Sequence, residues 1–415
     1  MKFERIIDCE KLFYINLVKW KINLKEFFYK SDNSLFKKIE SYHINKIENK
    51  EIIDIYREII LIIKNNIIKV PNINLYKNEL EKENVLFIKS YERWDVDKDT
   101  NILIKTLQSK SNVTSITLEV DRKFNFDILR IIKTIILTIK IINYTVNKFC
   151  KNVEVKYNIN RVLIYLWTYS AINDLIYINC YIKEKNIRQV YLWQEMIGKE
   201  NLIAQYYNYL NIETIALQHA LAILPEPSNE YYLKNLQYYS TTVCKKILVW
   251  GDVSYEQYAN ITNSKIVVVG KPHIEKNLFI RKGITFIYEN DEEQNFKLLE
   301  IERKISALGI KTSNWFKPQN NKVDEYRKGP LYSIAIGFQS SLLITLGINN
   351  VLILLLKDSP LEKYTEKINS VNTYGEIIDR YYQYDENLKY NNCNTWKKFI
   401  KYHDREFEDK LILNI

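Results

Sequence analysis

Ser340 and Ser341 stand where an apolar run ending at Gly337 gives way to a leucine-rich segment, in the stretch Ile336–Gly347. Two serines at a helix start bring hydroxyls and free backbone N–H groups together, with the positive end of the helix dipole behind them. That combination can hold an anion. A plain N-cap with no ligand fits the same residues. Upstream, Lys317 follows another expected strand in NWFKPQNN (Asn314–Asn321), where an ammonium could meet a phosphate; Gln319 lies two residues on. His219 falls at the end of the expected strand Glu213–Gln218, where an imidazole could act as base, acid or phosphate donor; a core histidine bonded to backbone suits the position as well. His273 lies in an expected linker, while His43 and His403 sit in polar helical contexts and read as structural. Glu92, Asp95, Glu195 and Asp252 each follow an expected strand, so each could take a proton at a strand end, although exposed loop carboxylates are common there. Asp95 and Asp97 have the Asp-x-Asp spacing of a metal site, but a charged surface loop explains them better, and no metal is expected.

The elements that must position these residues show in the apolar pattern. Val85–Lys89, Thr114–Val120, Val162–Leu166, Gln189–Trp193, Glu213–Gln218, Lys246–Trp250 and Lys265–Gly270 read as strands. Helices are expected over 126–150, 169–186, 199–210 and 254–263. Buried strands alternating with helices signal βαβ units and a parallel sheet covered on both faces. After a linker at 271–283 the rhythm restarts: strands at 283–288, 311–316, 332–337 and 351–356, and helices at 292–308 and 340–346. Before residue 82 the chain reads as helical, with Ile52, Ile53, Tyr56, Ile59, Ile60 and Ile63 at helical spacing and Pro71 as a stop. After about residue 371 it reads as helical again. The resulting division is a helical extension (1–82), a first α/β domain (83–275), a second α/β domain (276–375) and C-terminal helices (376–415).

No glycine occurs before Gly198, which rules out a glycine-rich phosphate loop in the first 197 residues. Nine glycines and seven prolines in 415 residues argue against disorder and loop-rich all-β folds, and an apolar content of 47% can fill sizeable cores. The formal charge is +10, but 60 basic and 50 acidic residues are interspersed, as on a solvated mixed-charge surface. Aromatics lie mostly on apolar faces without basic clusters, so no nucleic-acid partner is expected. Cys9, Cys150, Cys180, Cys244 and Cys393 are odd in number and lack metal or disulfide spacing, which suits a reducing cytoplasm. The N-terminal residues do not read as a signal peptide. The most apolar stretch, Ile128–Tyr144, carries Arg130, Lys133 and Lys140, so a membrane span is not expected. A peripheral place at the inner membrane face is compatible with the charge.

The order of these segments resembles bacterial surface-polysaccharide GT-B glycosyltransferases, among them sialyltransferases, polysialyltransferases and CDP-glycerol-dependent polymerases. In that family a His-Pro motif after one strand and a Ser-Ser pair opening a helix engage the donor phosphate. Ser340 and Ser341 match the pair, and Phe316–Asn321 falls at the His-Pro motif with Gln319 in place of the histidine. Ile212–Ala220 is similar to a strand ending in Gln-His-Gly, with Ala220 replacing the glycine. Ile247–Asp252 and Val267–His273 resemble the Trp-Gly and Gly-x-Pro segments leading into the linker. The resemblance covers roughly residues 85 to 356. It implies two Rossmann-like domains facing a cleft, a CMP-, UDP- or CDP-linked sugar donor, and a glycan or lipid-linked acceptor. The donor phosphate or nucleotide would meet Gly337, Ser340, Ser341, Lys317, Gln319 and His273, with no cofactor. Glu195 is the preferred base, with His219 and Asp252 as further catalytic candidates. Two other readings stay open: a UDP-sugar 2-epimerase-like enzyme on the same scaffold, and a catalytically inactive subunit that binds a partner or glycan, since Gln319 and Ala220 are departures that degeneration would produce.

Overall fold

The computed structural model describes residues 69–76, 84–90, 94–118, 122–149, 158–182, 186–193, 198–218, 242–274, 281–288, 292–316, 330–365, 369–384 and 395–414. Two mainly parallel sheets organise them. The first is built from β2 (Asn72–Tyr76), β3 (Asn84–Lys89), β4 (Asn112–Thr117), β6 (Ile187–Leu192), β7 (Glu213–Leu217), β8 (Lys246–Val249) and β9 (Lys265–Val268), in the order β2-β4-β3-β6-β7-β8-β9. Every neighbouring pair is parallel except β2 with β4. The connecting helices are α1 (Trp94–Gln108), α2 (Ile128–Phe149), α3 (Asn158–Ile182), α4 (Gly198–Tyr209) and α5 (Asp252–Ala259). Two-residue strands β1 (Lys69–Val70) and β5 (Lys123–Phe124) pair antiparallel beside this sheet.

Continuous apolar strands are the signature of a sheet buried on both faces. In β3, Leu86 and Ile88 join one core with Ala171, Leu175, Ile203 and Tyr207 of α3 and α4. Val85 and Phe87, one residue out of phase, join another with Leu103 and Leu107 of α1. That second core also takes Phe407 and Leu411 of the last helix, α9 (Arg405–Ile412). The C-terminal helix thus completes a layer of the first sheet.

The second sheet contains β10 (Arg281–Tyr288), β11 (Thr312–Phe316), β12 (Tyr332–Gly337), β13 (Leu352–Leu356) and β14 (Ser370–Val371), in the order β11-β10-β12-β13-β14, all parallel. Helices α6 (Glu292–Ala307) and α8 (Tyr374–Gln383) cover one face through Leu298, Ile305 and Ile377. The other face receives α7 (Ser341–Ile348) through Leu343, Ile344 and Leu346. Trp250, Val253 and Ile274 from the first unit share that core with Trp396, Phe399 and Ile400 of the C-terminal segment. The α/β class with two Rossmann-like sheets, expected from the sequence, is the architecture found.

Three readings need correction. Val162–Leu166, expected as a strand, lies inside α3. An apolar run of five cannot separate a buried strand from a buried helix, and Thr168–Ile176 of this helix are all buried, so no amphipathic stripe advertises its period. Residues 69–76, expected as helix, form β1 and β2 around Pro71; Asn-Ile-Asn-Leu-Tyr alternates with period two, as suits an edge strand. Asp95 and Asp97 belong to α1 rather than to a loop, and Asp97 pairs with Lys89 at 2.8 Å. Residues two apart on a helix do not face the same point. The expected helix over residues 51–69 lies outside the described residues up to residue 68.

Candidate functional site

Among the parallel strands of each sheet the chain order reverses once, and open parallel sheets bind ligands outside the carboxyl ends of the strands at that reversal. In the second sheet β11 lies on one side of β10 and β12 on the other, so the reversal falls between β10 and β12. Here β12 ends at Gly337 and α7 starts four residues later. Gly337 is buried, and a Cβ there would meet Leu343 Cδ1 at 2.9 Å, so the turn is held tight against the helix it feeds. Ser340 is the N-cap: its backbone is extended (φ −143°, ψ 139°), and its Oγ accepts from the Leu342 N–H at 3.3 Å. Ser341 is the first helical residue and is exposed. Ser359, in the loop after β13, donates its hydroxyl to the Phe338 carbonyl and ties that loop to the turn.

No acidic residue lies in the first turn of α7. The next helix in the chain, α8, differs. There Thr373 caps Glu376 N at 3.3 Å, and the Glu376 carboxylate accepts from Asn372 N at 2.6 Å, a capping box that answers the helix start with its own charge. An anion brought to α7 would meet a helix start with the dipole's positive end and an exposed hydroxyl. Replacing Ser340 by Ala removes the cap and should lower stability by about 1 kcal/mol, whereas Ser340→Gly should cost only a few tenths. Denaturant unfolding of the two variants checks this.

The first sheet's reversal, between β3 and β6, is built differently, and sequence reasoning missed it. Ser90 after β3 donates to Glu200 Oε1 of α4 at 2.7 Å, both buried. Beside it, Asp174 of α3 is fully enclosed and accepts from Arg122 at 2.9 Å and from Lys199 at 2.8 Å. Arg122 also donates to the carbonyls of Leu118 and Lys69, the latter at 2.8 Å, which ties β1 to the unit. Burial alone would raise the Asp174 pKa; the Lys199 and Arg122 charges outweigh it and hold the carboxyl below the usual range. The Asp174 carboxylate thus meets both cations at this reversal, and Ser90 meets Glu200. The signal was present in the sequence as Asp174, a charge inside an apolar helix, and Lys199–Glu200 beside the first glycine.

Among the other expected site residues, Asp252 opens α5 but is half-exposed and pairs with Lys401 of the C-terminal segment at 3.1 Å. His273 Nδ1 lies 3.0 Å from Asp404 Oδ1, and His403 Nδ1 lies 2.9 Å from the other oxygen of the same carboxylate. Lys271 binds the His273 carbonyl at 2.8 Å and Asp99 of α1 at 2.9 Å. His273 and Asp252 therefore hold the returning C-terminal segment. Gln218 accepts from Trp250 N at 2.7 Å and donates to Ser254 at 2.8 Å, stitching β7 to the Trp-Gly turn. Glu195, His219, Lys317 and Gln319 lie outside the described residues, as do Glu92 and Ala220. Among the described residues, no three His, Cys, Asp or Glu side chains gather as a metal site would require. No helix among them is long and apolar enough to cross a membrane.

No protein-family model matches the chain, and no curated protein does. Among solved structures, the chain is similar to the glycotransferase of kitacinnamycin, at 5% identity and a TM-score of 0.44, over 80% of this chain and 99% of that one. It is similar to CalG4, the calicheamicin glycosyltransferase, at 8% identity and a TM-score of 0.43, over 77% and 94%. A UDP-forming α,α-trehalose-phosphate synthase from Burkholderia xenovorans gives 8% identity and a TM-score of 0.43, over 80% and 98%.

Proposed function

We propose that this protein is a glycosyltransferase of the GT-B type, moving a sugar from a CMP-, UDP- or CDP-linked donor to a glycan or lipid-linked acceptor of a bacterial surface. The observation that carries the reading is the start of α7: a serine N-cap and an exposed serine at the reversal point of the second parallel sheet. In the transfer, the acceptor hydroxyl gives up its proton to a base as its oxygen attacks the anomeric carbon. The bond from that carbon to the phosphate oxygen breaks, and the nucleotide leaves with the developed negative charge. A helix start with hydroxyls stabilises such a leaving group without a metal, because its dipoles are already oriented. Lys317, Gln319 and Gly337 would complete the phosphate side, and Glu195, with His219 as the other candidate, would take the proton.

Release of free nucleotide from a panel of sugar donors, with and without glycan acceptors, tests the reading. Acceptor-dependent release that falls by about a hundredfold in a Ser340→Gly, Ser341→Ala double variant supports it. Undiminished release in that variant removes the site, and no release from any donor leaves a binding subunit rather than an enzyme.

A further inference from the structure

Helix α2 is built inside out. Its protein-facing side places Arg130, Thr134 and Thr138 in the interior, ahead of Ile141 and Ile142. Arg130 Nε donates to Asn173 Oδ1 at 3.0 Å and its Nη1 to Asn125 Oδ1 at 2.6 Å, while Thr134 donates to the Arg130 carbonyl at 2.7 Å. The outward side carries Ile128, Leu129, Ile132, Ile135, Ile136 and Ile139, all exposed, with Leu129 reaching 75%. At about 100° per residue these six fill roughly a third of the helix circumference. Phe124 and Phe126, 70% and 66% exposed, extend the stripe beyond the helix start. A water-facing helix would reverse this distribution, since an apolar surface so continuous is disfavoured in water.

The charges around the stripe select its occupant. The 22 residues of α2 contain Arg130, Lys133, Lys140 and Lys148 and no acidic residue. Lys133 and Lys140 are exposed and lie along one edge of the stripe, and Lys123 precedes it beside Phe124. Asp127, at the helix start, accepts from Arg130 N at 3.1 Å and caps the helix. Two copies of this helix laid together would bring like charges face to face, whereas an anionic bilayer surface answers both the apolar stripe and the cations. We propose that α2, with Phe124 and Phe126, lies in the interface of an anionic lipid bilayer and seats the protein on a membrane. The proposal stands on this helix alone and does not require that the protein transfer sugars.

Co-sedimentation of the full chain with vesicles of phosphatidylcholine mixed with phosphatidylglycerol, beside vesicles of phosphatidylcholine alone, tests it. Binding is expected to the anionic vesicles, to weaken roughly thirtyfold in Lys133→Gln, Lys140→Gln, and to fall to background in Ile132→Glu, Ile136→Glu. Since these positions are exposed, the melting temperature should stay within a few degrees of the parent, separating lost binding from lost fold. Absence of vesicle binding by the parent, or binding unaffected by the isoleucine changes, overturns the proposal. So does lipid-free self-association, seen by sedimentation equilibrium, that those changes abolish; the stripe would then join two copies of the chain.

Discussion

Asp174→Ala is expected to destabilise the protein by about 3–5 kcal/mol. In the native chain one enclosed carboxylate serves two cations, Arg122 and Lys199, with side chains 4% and 6% exposed. Removing it leaves two like charges in a space that water does not reach, so the loss exceeds that of an ordinary core truncation. The same site sets a pH dependence. Because Lys199 and Arg122 hold the folded-state carboxyl below its usual pKa, it contributes stability that is fully present above the ordinary carboxylate value near pH 4. That contribution disappears as the pH falls through the lower folded value. Denaturant unfolding from neutrality into acid should therefore show a fall in the parent, and the Ala variant should lack the part of it due to this group. A loss below about 1 kcal/mol for Asp174→Ala would mean the triad is not enclosed as described.

Gly270→Ala is the second large effect. Gly270 adopts φ +92°, which L side chains rarely accept, and a Cβ there would lie 2.0 Å from the Tyr402 carbonyl oxygen. Strain of this kind costs about 1–3 kcal/mol before the clash is counted. The nearest atoms are the backbone and Cβ of Tyr402, none of them the far end of a flexible side chain, so relieving the clash displaces the C-terminal segment. A Cβ on Gly251 would lie 2.5 Å from the carbonyl oxygens of Lys398 and Phe399, and one on Gly347 would enter the Trp396 indole. The Trp-Gly and Gly-x-Pro segments thus owe their glycines to the docking of residues 395–414. Limited proteolysis should cut Gly270→Ala near its C-terminus well before the parent. If the variant resists cleavage and melts with the parent, the segment does not pack on Gly270.

The inner strands were legible in the sequence because burial on both faces leaves uninterrupted apolar runs, as in Val85–Ile88 and Ile247–Val249. The same signal misled at Val162–Leu166, which lies inside α3, because an apolar run of five residues suits a helix as well as a strand. Two-residue elements such as β1 and β14 carry too few residues for a period to show. Ser340 was legible as a helix start because capping is local: hydroxyl, donor and turn lie within three residues. What could not be read was any group whose partner is distant along the chain. Asp174 meets Arg122 and Lys199 across 52 and 25 positions, and Asp404 meets His273 across 131. Asp252 therefore looked like a strand-end base and His273 like a linker residue near the donor, while their partners belong to the returning C-terminal segment.

The central claim is that the start of α7 holds the phosphate of a nucleotide donor. Thermal unfolding of the parent and of the Ser340→Gly, Ser341→Ala variant, each with a panel of cytidine and uridine mono- and diphosphates, tests it most directly. The variant alone should melt within a few degrees of the parent, since glycine at an N-cap costs only tenths of a kcal/mol. One nucleotide at about a hundredfold its dissociation constant should stabilise the parent by about 2.7 kcal/mol and leave the variant unmoved. Equal stabilisation of parent and variant, or none of the parent by any nucleotide at millimolar concentration, would contradict it.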